Sequence, residues 1–155
     1  MAPSFLDILR VHTGLHARFL AHQVAVLERD FDTAHKLLVE YRRKLLDHMR
    51  DEEEALIPIY EREPPAPHGK VEFFVHEHRT MLESLDEIRD LLAAAAQTPE
   101  ESSHAAILAL LDRETSYKNF AEHHEMREER WLFPALDRLA TAEEKERLIA
   151  QCMRT

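Results

Sequence analysis

The sequence predicts an all-α fold, an antiparallel up-down four-helix bundle with a short C-terminal helix, with residues 1–155 forming a single domain. Three observations carry this. Glycine occurs only twice, at Gly14 and Gly69, while alanine, leucine, glutamate and arginine dominate, a composition that favours helix. Apolar residues recur at spacings of three and four along four long segments. The chain also repeats itself: "HMRDEEEALIP", from His48 to Pro58, returns 76 residues later as "HEMREERWLFP", from His124 to Pro134. Histidine, two glutamates, leucine and proline hold the same slots in both copies, and Tyr41 and Tyr117 add a match upstream.

The first helix starts at Ser4, with Asp7 three residues on as a capping box. Its stripe is Phe5, Ile8, His12, Leu15, Phe19, His22 and Val26, and it ends near Arg29-Asp30. Gly14 inside it costs about 1 kcal/mol relative to alanine. Close packing, a ligand path or a tolerated defect would each account for it. The second helix starts at Asp32 and carries Leu37, Leu38, Tyr41, Leu45, His48, Glu52 and Ala55 to Pro58. No helix crosses the proline-rich stretch from Glu63 to Gly69. The third runs from about Lys70 to Ala96 with Val71, Phe74, His78, Met81, Leu85, Ile88 and Leu92 on one face. Thr98-Pro99 opens the fourth, with proline at its first position. That helix runs toward Pro134, and Leu136 and Leu139 extend it. The fifth begins at Thr141, with Glu144 completing a capping box, and ends near Cys152.

An offset of 66 residues superposes the first stripe on the third, His12 on His78 included. The chain therefore reads as two tandem helical hairpins. Each has one histidine on its first helix and one His-x-x-x-Glu on its second, and short connections favour an antiparallel bundle.

Composition bounds the function. The formal net charge of −10 argues against nucleic-acid binding. A lone cysteine, Cys152, precludes an internal disulfide and suggests a reducing compartment. There is no apolar run of membrane-spanning length and no signal-peptide core. The expectation is a cytoplasmic monomer or weak homo-oligomer, without nucleic-acid or membrane partners.

Residues four apart on a helix share a face about 6 Å apart along the axis. His48 and Glu52 therefore reach toward one point, as do His124 and Glu128. A single such pair is usually a surface ion pair. Two copies on core-facing stripes, with His12 and His78 also facing inward, place two carboxylates in an apolar interior. Uncompensated, each would cost several kcal/mol. A cation removes the cost. Four imidazoles and two carboxylates suit iron, manganese or zinc, and the repeat suggests two metals with Glu52 and Glu128 between them. Glu53 and Glu129 lie further round the helix and read as solvated or outer groups. Tyr41, Tyr117 and Trp131 read as core residues, although either tyrosine is also placed to line the metal pocket. His16 is a candidate seventh ligand or outer hydrogen-bond donor. His22 fills an apolar slot without a repeat partner, and His35, His68, His76, His104 and His123 read as off-stripe, loop or surface groups.

These motifs resemble those of the hemerythrin-like family, the bacterial His-His-Glu cation-binding domains. "ILRVH", ending at His12, is similar to the family's first motif, "VHEHRTML" with His78 to its third, and the two repeated segments to its second and fourth. The resemblance implies a non-haem di-iron centre of two iron ions (Fe2+/Fe3+), oxo- or hydroxo-bridged, held by His12, His48, Glu52, His78, His124 and Glu128. Oxygen carriers of the family have a second histidine where Phe74 stands, and an aspartate five residues after the last histidine. Here a glutamate comes at four. The pattern is therefore closer to the iron-centre repair proteins and related stress proteins.

The expected function is binding or sensing of oxygen, nitric oxide, peroxide or iron itself, in a stress or iron-homeostasis role. Binding is favoured over dedicated catalysis because no nucleophile–base pair or organic-cofactor motif stands out. The alternatives are a di-iron oxidase, peroxidase or ferroxidase and, below these, a structural zinc bundle. A ferritin-like site needs two Glu-x-x-His triplets, and only Glu101 to His104 supplies one. A small ligand is expected to enter between Phe19, Leu82 and Leu85, with Phe74 leaving one metal more open.

Overall fold

The computed structural model describes residues 2–154, so the two end positions of the predicted domain lie outside the described residues. Those described form helices and turns, with no strand. A 3-10 turn, Phe5–Ile8, leads into α1 (Leu9–Leu27). Next come α2 (Phe31–Asp51), a wide π turn (Glu52–Leu56) and α3 (Ile57–Tyr60). After the proline-rich connection come α4 (Val71–Gln97) and α5 (Ser103–Arg127). A second π turn (Glu128–Leu132), α6 (Phe133–Leu139) and α7 (Ala142–Cys152) complete the chain.

Local chemistry sets these boundaries. The capping boxes at Ser4–Asp7 and Thr141–Glu144 both form. Asp137 of α6 also accepts the Phe5 N–H at 3.0 Å, which ties the start of the chain to α6. Arg29-Asp30 forms the cap of α1 rather than its last turn. Arg29 is left-handed (φ 62°) and the Asp30 N–H reaches the Ala25 carbonyl at 2.9 Å, closing the helix. The Asp30 side chain then caps α2, so that helix starts at Phe31, one residue before the expected Asp32. Pro99 is extended (ψ 147°) and precedes a 3-10 turn, Glu100–Ser102. The fourth long helix therefore begins at Ser103 rather than at the proline.

The prolines of the repeated motif do not end their helices. Each stands at the second position beyond a π turn, where Ile57 N–H bonds Glu52 and Phe133 N–H bonds Glu128, five residues back. Proline donates no N–H, and its ring crowds the carbonyl four residues earlier. The widened turn takes up both defects and lets the helix continue. Both π turns begin at the buried glutamates, so the same device sets each carboxylate.

The long helices pack α1 against α2, α4 against α5, α2 against α4 and α1 against α5. Their buried apolar side chains form two clusters. One includes Phe19, Leu45, Met81 and Ala121, and the other Ile8, Leu56, Phe74 and Leu132. Along each long helix and the turn next to it, the predicted ligands fall where one cluster gives way to the other. The order of the clusters reverses from each long helix to the next. A polar layer thus separates two apolar ones.

The two glycines differ. A Cβ on Gly69 would lie 2.5 Å from the Tyr60 hydroxyl and 3.0 Å from Trp131 Cβ, so only glycine fits. A Cβ on Gly14 would meet nothing within 4 Å, and Gly14 lies on a side groove with Lys44 and Met153. Close packing does not require Gly14, and it does not line the approach to the polar layer.

Candidate metal centre

The four long helices and the two π turns bring His12, His48, Glu52, His78, His124 and Glu128 together, all buried. Their donor atoms fall into two groups, His12, His48, Glu52, Glu128 and Glu52, His78, His124, Glu128, each within a 4.8 Å span. In the first, His12 Nε2 is 3.0 Å from His48 Nε2 and 3.2 Å from Glu128 Oε2, and His48 Nε2 is 3.1 Å from Glu52 Oε1. In the second, His78 Nε2 is 3.1 Å from Glu52 Oε2, and His124 Nε2 is 2.7 Å from Glu128 Oε1. Each carboxylate thus gives one oxygen to each group.

These separations match the edges of a coordination sphere. Donors about 2.1 Å from a first-row cation and at right angles to one another are roughly 3 Å apart. Apart from the His12–His48 contact, these approaches do not satisfy the groups as hydrogen bonds. Among the described residues, the buried side-chain nitrogens and oxygens without a hydrogen-bond partner all belong to His12, His48, Glu52, His78 and Glu128. Buried polar groups are ordinarily paired, so this concentration of orphans marks a site shaped for something besides the chain. The residues fit a pair of transition-metal ions.

The electrostatics agree. Burial opposes charge on His78, but Glu128, Glu52 and Glu53 outweigh it and push its pKa up to about 11. Burial likewise opposes charge on His124, and Glu128 and Glu77 raise it to about 9. His12 is raised against its own burial by Glu128. Burial favours neutral carboxyls, and for Glu52 so does the charge of Glu128. The surrounding histidines nevertheless pull Glu52 below its ordinary value and Glu128 well below. Without metal, protons on the imidazoles balance the two carboxylates.

Outer partners differ between the groups. His78 Nδ1 donates to Glu53 at 2.7 Å. His124 Nδ1 donates to Glu77 at 2.8 Å, and Glu77 also accepts from Arg127 Nε at 2.8 Å. The Nδ1 atoms of His12 and His48 have no partner. Neither Glu77 nor Glu114, a second buried carboxylate, is among the residues the sequence singles out. Both occupy core stripes, Phe74-Glu77-Met81 and Leu110-Glu114-Tyr117, so spacing carries the signal in each case.

Other candidates fall elsewhere. His16 is exposed and outside both groups, with Nε2 2.8 Å from Glu125 Oε1. Tyr41 and Tyr117, equivalent in the repeat, meet through their hydroxyls at 2.7 Å. Glu129 is exposed and Trp131 half-buried, while His35, His68, His76, His104 and His123 are exposed. Glu101 and His104 lie on the surface at the start of the fourth long helix, apart from both groups. His22 is fully buried, its Nδ1 donating to the Ala34 carbonyl at 2.8 Å and its Nε2 2.5 Å from Glu114. Cys152 is free and buried, which pushes its thiol up to about 12.

A cleft of about 670 Å³ reaches the site beside α1 and α5. Of the six candidates only His12 lines it, with Phe19, Tyr41, Tyr117 and Glu125 nearby. Phe19 is where the sequence places it, but Leu82 and Leu85 are not on this wall, because Leu85 is sealed in the apolar core. Phe74 closes space rather than opening it. It is buried, with its ring edge-on to His124 at 6.4 Å and to Tyr60 at 5.9 Å.

An all-helical bundle with two buried histidine–carboxylate groups sharing two glutamates defines a cation-binding helical protein. The chain belongs to the hemerythrin HHE cation-binding domain family, whose profile matches residues 5–113, more than two thirds of its length. The match spans His12, His48, Glu52 and His78 and stops before His124 and Glu128, which the internal repeat and the geometry bring to the same place. No curated protein and no solved structure matches the chain. No helix among the described residues is long and apolar enough to cross a membrane.

Proposed function

We propose that this chain is a non-haem di-iron protein built on an antiparallel four-helix bundle, and that it binds or senses oxygen, nitric oxide, peroxide or iron itself. The observation that carries the reading is the division of the Glu52 and Glu128 oxygens between two groups of imidazoles. His12 and His48 would hold one ion, His78 and His124 the other, and the two glutamates would bridge them. The reversing order of the apolar clusters supports the antiparallel arrangement.

Bound iron supplies redox and Lewis-acid chemistry. The protein supplies the buried layer, the fixed donors and an approach along the cleft. Along that approach Tyr41 and Tyr117 share one hydroxyl proton between them and keep the other for a molecule in the cleft. Burial raises both phenols above their ordinary range and keeps them protonated.

The cleft also favours a second reading. Its volume suits a small organic molecule better than a diatomic, which keeps an oxidase or peroxidase role in view. One experiment separates the readings. The chain is purified with and without air, and its metal content, visible spectrum and turnover are measured. The first reading expects two irons per chain, a visible band on oxidation and slow turnover. Sustained turnover of peroxide or an organic reductant at enzyme-like rates selects the second. Two zinc ions and no visible band would replace both with a structural site.

A further inference from the structure

The internal repeat is broken where it touches the imidazoles. The offset of 76 sets Glu53 opposite Glu129, and the offset of 66 sets Glu77 opposite Val11. If the two halves were alike, Glu129 would accept from His12 as Glu53 does from His78, and a carboxylate at position 11 would accept from His48 as Glu77 does from His124. Neither contact exists. Glu129 stands exposed on the cleft wall, Val11 packs against the apolar clusters, and both Nδ1 atoms are orphaned.

We propose that the two metal positions are unequal: the His78–His124 position fills first and holds its ion tightly, while the His12–His48 position is the exchangeable one. This rests on the di-metal reading above. A carboxylate that accepts the Nδ1 proton fixes the tautomer, so the Nε2 lone pair points at the metal. It also locks the ring and makes the imidazole a stronger donor. His78 and His124 have this support at 2.7 and 2.8 Å, and Arg127 anchors Glu77 in turn. His12 and His48 have none. Removing one such partner typically lowers metal affinity 10–100-fold, so the positions should differ by at least about tenfold.

Access points the same way. Phe74 packs over His124, whereas His12 alone of the six opens on the cleft. A chelator or an incoming ligand therefore reaches the weaker ion first. The protein keeps one ion as a fixed part of its core and presents the other for exchange or reaction.

The test is anaerobic addition of ferrous iron to the metal-free chain in a calorimeter, followed by removal with excess chelator. Two ions per chain are expected in two steps at least about tenfold apart, with one ion leaving fast and one slowly. Glu53→Ala, at an exposed position, and Glu77→Gln should each weaken the tight step about tenfold and leave the weak step in place. His12→Ala should keep the tight step, and His78→Ala should lose it. Two ions bound with equal affinity, or a tight step that survives in His78→Ala, overturns the inference and leaves the di-metal reading standing. Binding of one ion or none overturns that reading, and the inference with it.

Discussion

The bundle buries two histidine–carboxylate clusters, and they obey different rules. In the closed cluster His22 bonds both Glu114 and the Ala34 carbonyl, and Gln23 donates to the other Glu114 oxygen at 2.9 Å. All its polar side-chain atoms within the core are partnered. In the open cluster the donor atoms crowd to 2.7–3.2 Å, yet most lack a hydrogen bond. Burial of a carboxylate beside a histidine therefore does not mark a metal site. Burial with unsatisfied lone pairs converging on a point is the arrangement that could hold one. The repeat adds a second distinction. His22 and Glu114 correspond to Ile88 and Leu38, an apolar pair, whereas all six members of the open cluster are repeated. The closed cluster is one of two ways to fill a core slot.

The largest expected difference comes from metal removal. An ion that binds only the folded chain, at a thousand times its Kd, stabilises it by about 4 kcal/mol. At roughly 2–4 °C per kcal/mol for a chain of this size, loss of one such ion alone lowers the melting temperature by about 10 °C and loss of two by more, and restored iron should recover the difference. Calorimetry of the two forms checks this. Equal melting temperatures would place the open cluster under the same rule as the closed one.

Next is the closed cluster itself. Glu114→Ala leaves His22 buried against a lost partner and should cost about 3–5 kcal/mol, with iron content unchanged. Replacing both members by their repeat counterparts, His22→Ile with Glu114→Leu, should be near neutral in thermal melts. If the double variant is as unstable as the single one, the pair is more than a substitute for apolar packing.

The open cluster should also respond to pH. In the metal-free chain His78 and His124 are raised from 6.5 to about 11 and about 9. A raised histidine lends stability that is fully present below its unfolded value and lost as pH climbs through the folded one. The metal-free protein should therefore lose stability from about pH 7 upward. Iron must displace these protons, so loading near pH 8 should release about two of them and tighten as pH rises. Melts across this range and proton release in weak buffer measure both effects. A flat apo profile would mean the imidazoles are already neutral.

Much of this is legible in the sequence alone. The stripes give four long helices because 3.6-residue periodicity survives along each, the doubled motif names four of the six candidate donors, and the matching first and third stripes name His12 and His78. What the one-dimensional pattern hides is direction. Pro58 reads as a stop because an ordinary α turn cannot pass it, while Leu136 and Leu139 already carry the pattern beyond Pro134; the π turns that admit both prolines leave no compositional trace. Glu77 and Glu114 sit on core stripes but have no repeat partner to draw attention to them. The route to His12 depends on how α1 meets α5, which spacing within one helix does not encode.

The smallest expected effect sets the boundary of the open cluster. His16 is one turn from His12, close enough in sequence to be a seventh donor, but its Nε2 is engaged by Glu125 on the wall of the cleft. The histidine side chain is 59% exposed and its partner 19%, so solvent screens the pair. Exposed ion pairs contribute about 0–1 kcal/mol. His16→Ala should therefore shift melting by no more than about 2–4 °C and leave two irons per chain. Because the pair bridges α1 and α5 along the cleft, its loss should act on rate, speeding removal of the first ion by a chelator while the slow ion keeps its pace. A fall to one iron would instead make His16 a donor to the His12–His48 position and place the boundary one helical turn further out.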